Sequence, residues 1–150
     1  MGFDVDQSGK IENTKLISVL AVAGKESKAI FVSRTTKREL IRTFKLSRSP
    51  KIVYLQLFSC CLYLLVKDLL SKSNLIVVDV EYVGKDELIL NFLQQLALHD
   101  EVKIKAEIRF NRIGKKSLAH EKAIYTFRDD GKGATELKLA SVLKEMRKIK

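Results

Sequence analysis

Two short segments carry carboxylates at a spacing of two. Asp4 and Asp6 lie in FDVDQSG, and Asp79 and Glu81 lie in VVDVEY. Strand side chains alternate, so residues two apart share a face. Each segment, read as a strand, therefore shows an acidic pair on one face, with Phe3 and Val5, or Val78 and Val80, pointing the other way. A carboxylate on a buried strand must be paired, bind a cation or sit at a solvent end. If the two strands are parallel neighbours, up to four carboxylates converge at one end of a sheet. A hard divalent cation with oxygen ligands, Mg2+ or Mn2+, relieves that repulsion. Two such ions about 4 Å apart activate a water and stabilise the leaving oxygen in phosphodiester cleavage. Asp4 and Asp79 are the expected central ligands, with Asp6 and Glu81 as the next candidates. The plainer reading stays open: a solvent-exposed strand end and an Asp-x-Asp turn entrance.

The charge balance points to a partner. Lys and Arg total 28 against 18 Asp and Glu, a net charge of +10. That excess favours polyanions, with nucleic acid ahead of an anionic membrane; abundant Lys and Glu is also a thermophile habit. Residues 1–33 are neutral, whereas Arg34 to Lys51 holds seven basic residues opposed by Glu39 alone. Within it Lys37, Arg38, Arg42 and Lys45 are candidate phosphate contacts, Arg38 and Arg42 at helical spacing; Lys115 and Lys116 are further candidates. A solvated helix face is the alternative. Aromatic residues are sparse and Trp is absent, so single-strand stacking is not indicated. Duplex or structured nucleic acid, DNA or RNA, held by its phosphates, is the expected partner.

The elements that must position these residues follow from periodicity. A length of 150 residues and 46% hydrophobic composition fit a single globular domain spanning 1–150. A strand around residues 3–6, a strand over 16–23 and a strand over 29–33 form an antiparallel meander. A short helix follows, capped by Thr35 or Thr36, with Leu40, Ile41 and Phe44 as its apolar face. Ser49-Pro50 opens an apolar helix over 50–71, with Ser49 as cap. Its apolar run is shorter than the roughly 20 residues that span a bilayer, so a central buried helix is expected and no membrane role. Residues 75–82 read as an interior, parallel strand, 86–98 as a helix, and 102–110 as a strictly alternating half-exposed strand. Two closing helices are expected over 117–128 and 135–148. Cys60 and Cys61 are adjacent and apolar in setting, so they read as buried free thiols of a reducing compartment; with no signal peptide at the start, a cytoplasmic location is expected.

The resulting α/β order, β-β-β-α-β-α-β-α in a mixed sheet with helices on both faces, resembles the ribonuclease H-like superfamily. The likeness rests on element order and on the acidic residues of strands one and four, Asp4 in FDVDQSG and Asp79 in VVDVEY. It implies a metal-dependent nuclease in which those two aspartates hold the metals. It also implies a glutamate on the first long helix, but helix 50–71 has only Asp68, near its far end. A last acid near the final helices is implied as well, for which Asp129, Asp130 and Glu121 are eligible. His120 falls beside this region, although an exposed helical histidine is the commoner outcome. A non-catalytic nucleic-acid-binding or protein-interaction domain of the same fold is the alternative.

A rival nuclease reading pairs Asp79 with Glu101-Val102-Lys103, in the manner of restriction-endonuclease-like folds; such a tripeptide arises easily by chance in this composition. Other chemistries lack their residues. There is no Gly-rich phosphate loop followed by Lys-Ser/Thr, no dinucleotide fingerprint, no calcium loop in DDGKG (129–133), no zinc spacing and no Ser-His-Asp set.

Overall fold

The computed structural model describes residues 2–150. Strands β1 (Gly2–Ser8), β2 (Ser18–Ala23) and β3 (Ser27–Val32) are followed by helices α1 (Arg34–Phe44) and α2 (Pro50–Val66). Then come β4 (Leu75–Asp79), α3 (Asp86–His99), β5 (Glu107–Asn111), α4 (Leu118–Arg128), β6 (Thr135–Glu136) and α5 (Leu139–Met146). The strands form one six-stranded mixed sheet in the order β5-β4-β1-β2-β3-β6. β1, β2 and β3 are the expected antiparallel meander. β4 lies parallel to β1, β5 parallel to β4, and β6 parallel to β3.

Helices cover both faces. On one, α2 is apolar all round and lies under the other helices, so nearly every side chain from Val53 to Val66 is buried. It packs with α1, α3 and α5 over Phe3, Val5, Leu20, Val22, Ile76 and Val78 of the sheet. On the other face α4 lies across β1, β2 and β3. Small side chains permit its close approach: Ala21 and Ala29 of the sheet meet Ala123, with Ile17 and Val19 beside them. This contact brings the first turn of α4 next to the acids of β1. Among the described residues no helix is long and apolar enough to cross a membrane.

The expected order β-β-β-α-β-α-β-α is corrected to β-β-β-α-α-β-α-β-α-β-α: two helices, not one, precede β4, and the short β6 precedes the last helix. The apolar helix ends at Val66 rather than 71, and the strand expected over 75–82 ends at Asp79. Further local expectations also needed correction. Ser33, not Thr35 or Thr36, caps α1, its Oγ accepting from the Thr36 N–H at 3.1 Å. Ser49 precedes Pro50 but makes no side-chain capping bond. The strand expected over 102–110 begins only at Glu107, because β4 begins only at Leu75 and offers nothing earlier to pair with. The N–H groups of Lys105 and Ala106 go instead to the Leu70 carbonyl. The helix expected over 135–148 starts at Leu139, since Thr135 and Glu136 pair with the free edge of β3 at Ile30 and Phe31.

Candidate functional site

The register of two strands decides which carboxylates meet. β1 and β4 run in parallel with Asp4 opposite Val77 and Val5 opposite Val78, so the next pair along is Asp6 with Asp79. Glu81 follows two residues beyond Asp79, just past the end of β4, and keeps the same side. Carboxylate oxygens of Asp6, Asp79 and Glu81 all lie within 4.8 Å of one another. Asp6 is buried at 4% exposure, while Asp79 and Glu81 are half-buried.

Each acid of this cluster has an environment of its own. Asp6 Oδ1 accepts from the Gln7 N–H at 2.9 Å, and Asp6 Oδ2 lies 2.7 Å from His120 Nδ1. Asp79 Oδ1 accepts from the Ile113 N–H at 3.0 Å, which ties the end of β4 to the β5–α4 connection. Among the described residues none of the three pairs with a lysine or arginine. Burial, followed by repulsion from Asp6 and Asp79, pushes the Glu81 carboxyl up to about 7, with Lys10 opposing. Burial also raises Asp6, against the hydrogen bonds from His120 and Gln7. The cluster opens on a cavity of about 410 Å³ whose rim carries Arg112, Lys115 and His120.

Asp4 does not join the cluster. One residue pair lower on the strand, its Oδ2 accepts from Ser117 Oγ at 3.3 Å. Ser117 also caps α4, accepting from the Ala119 N–H at 3.2 Å. Asp129 is exposed at the other end of α4; at 1.5 Å per residue that is about 13 Å along the helix from His120. Asp68 lies beside Phe3 and Val22, toward the opposite end of β1. Glu101 and Lys103 are exposed ahead of β5, whereas the end of β5 that meets Asp79 is Asn111.

The basic candidates divide. Lys37 is not a surface contact: it is fully buried, and its Nζ donates to the carbonyls of Asn13 at 2.8 Å and Lys10 at 3.3 Å and to Ser18 Oγ at 2.9 Å. Burial lowers it to about 8. Arg38, Arg42 and Lys45 are exposed on α1, on the opposite side of the sheet from α4. Arg42 is already engaged by Glu39 at 2.6 Å. Lys115 and Lys116 are exposed in the β5–α4 connection, and Lys115 lines the cavity of the cluster. The sequence reading missed Arg112, and it favoured a merely exposed His120. The Ser117 cap was the available signal for His120, since it puts residue 120 in the first helical turn. Comparison with protein-family models, curated proteins and solved structures returns no match to this chain.

Proposed function

We propose that this chain is a divalent-metal-dependent nuclease of ribonuclease H-like architecture, acting on phosphodiester bonds of duplex or structured nucleic acid. The observation that carries the reading is the convergence of Asp6, Asp79 and Glu81, none of which is ion-paired to a lysine or arginine among the described residues. Three hard oxygen donors with an unmet negative charge suit Mg2+ or Mn2+ better than a softer ion. A strand order β5-β4-β1-β2-β3 with β2 antiparallel and β4 and β5 parallel to β1 supports the architecture.

Asp6, Asp79 and Glu81 would hold the cation, which when bound supplies an acidified water and stabilises a leaving oxygen. The chain's own groups do the rest. The Gln7 and Ile113 N–H groups fix the rotamers of Asp6 and Asp79. His120 orients the second oxygen of Asp6. Arg112 and Lys115 present positive charge where a phosphate would enter.

The test is a Mn2+ or Mg2+ titration followed by thermal melting, then cleavage assays on a DNA duplex and an RNA–DNA hybrid. Wild-type protein should gain stability with metal and cleave a substrate. Asp6→Asn and Asp79→Asn should each lower the cleavage rate by ~100-fold or more, since losing a group that merely orients a metal ligand already costs roughly 10–100-fold. No metal response in the wild type would sink the proposal. Because α2 carries no acidic residue, a non-catalytic nucleic-acid-binding domain of the same fold is the second reading. Duplex binding without metal response or cleavage would favour it.

A further inference from the structure

The face of the sheet that holds the acidic cluster is only partly roofed. α4 lies over β1, β2 and β3, and the part formed by β4 and β5 is open. Register fixes what stands there. Glu107, Arg109 and Asn111 of β5 sit beside Leu75, Val77 and Asp79 of β4, so they share the face of the cluster. Arg109 is therefore one step from Asp79 on that face, and it is exposed, its side chain 54% accessible. Exposure alternates back through the extended segment ahead of β5, with Lys103 and Lys105 exposed and Val102 and Ile104 half-buried. Beyond β5 the connection to α4 continues with exposed Arg112, Lys115 and Lys116. Across residues 101–116 there are six basic residues and two acids, Glu101 and Glu107. Glu107 is spent on Arg109 at 2.7 Å.

We infer that this open β4–β5 face and the basic row along β5, rather than the basic face of α1, are the track on which a nucleic-acid duplex lies. The inference rests on the reading that the substrate is nucleic acid. It adds the surface and the direction of approach. The row starts at Lys103, passes Arg109 and reaches Arg112 and Lys115 on the rim of the cluster, so a backbone tracking it is led to the carboxylates. Like charges at the cluster repel phosphate, and the neighbouring row offsets that repulsion by contacts spaced along one strand edge. The α1 face has no such continuity: α1 packs on α2 and α5, on the side of the sheet opposite α4, and its basic side chains do not lead onto the rim of the cluster.

The experiment compares two double charge reversals, Lys105→Glu with Arg109→Glu, and Arg38→Glu with Arg42→Glu. Binding of a fluorescein-labelled DNA duplex is followed by anisotropy in EDTA, over a range of salt. EDTA removes any contribution of metal, so failure here is distinguishable from failure of the metal site. All four positions are exposed, and thermal melting checks that both variants stay folded. The β5 variant should bind at least tenfold more weakly. Its slope of log affinity against log salt should fall by about 2, the loss of two phosphate contacts. The α1 variant should stay within twofold of wild type. Equal losses in the two variants, a larger loss on α1, or wild-type binding by the β5 variant would each overturn the inference.

Discussion

Two groups of partly buried charge sit in this molecule, and they are built on opposite plans. The first is the cluster of Asp6, Asp79 and Glu81. The second joins the end of α3 to the end of α5. There Asp100 Oδ2 accepts from the Tyr63 hydroxyl at 2.6 Å, and Asp100 Oδ1 accepts from Lys148 Nζ at 2.8 Å. Lys148 Nζ also reaches Glu145 Oε1 at 2.8 Å. Arg48 ties the same region down by donating to the carbonyls of Met146 and Ile149. Burial works against ionised Asp100, yet the bonds from Lys148 and Tyr63 hold its carboxyl at about 2. Glu81 goes the other way, to about 7. Both groups feel burial; what separates them is whether a cation has been built in. The α3–α5 group is complete in the folded chain. The cluster at β1 and β4 has no lysine or arginine paired with it among the described residues, and the proposed cation would meet that charge.

The largest effect expected from breaking this contrast is at Lys148. Its side chain is 7% exposed and serves two carboxylates. Lys148→Met leaves Asp100 and Glu145 without their cation, and loss of one partner from a buried ion pair costs about 3 kcal/mol or more. Urea denaturation should show the midpoint falling with an unchanged slope. A variant as stable as wild type would mean that the α3–α5 group is not a closed clamp.

The matching substitution in the acidic cluster should have the opposite sign. Glu81→Gln in EDTA at pH 8 removes one of three mutually repelling charges. Stability should rise by roughly 1 kcal/mol after allowance for solvent screening. The same variant should lose most of the stabilisation that added Mn2+ gives the wild type. A loss of stability in EDTA would mean that Glu81 is held by favourable contacts and that the cluster is not short of cation.

How much of this was legible beforehand depends on the kind of feature. The spacing of two between Asp4 and Asp6, and between Asp79 and Glu81, gave the shared faces. It did not give the register, because parallel strands joined through helices have no tight turn to fix it; Asp6, not Asp4, meets Asp79. Lys37 was legible and misread. It stands three residues before Leu40 and seven before Phe44, on the apolar face of α1, yet the basic run drew it to the surface. The stripe of small residues that seats α4, Ala21 and Ala29 against Ala123, is spread over distant segments. No local periodicity joins them, so the Ser117 cap could place His120 in the first turn of α4 while nothing local could bring that turn to Asp6. β6, with two residues, is too short for any alternation to register.

The smallest effect expected is in the pH dependence, where the two groups impose opposite slopes. Glu81 has a folded value of about 7 against an ordinary value of 4.5. Between these, the unfolded chain releases its proton and the folded chain keeps it, so stability contributed here falls as pH rises from about 4.5 to 7. Asp100 has a folded value of about 2 against an ordinary 3.8. Its contribution is present above about 3.8 and is lost as pH falls toward 2. Melting temperatures in EDTA from pH 2 to 8 should therefore lose a declining limb on Glu81→Gln and an acid limb on Asp100→Asn. Each variant should flatten its own limb and leave the other. If Glu81→Gln leaves the slope between pH 4.5 and 7 unchanged, Glu81 is not raised by its burial and by the neighbouring Asp6 and Asp79. The contrast between an open cluster and a closed clamp would then fail at its first term.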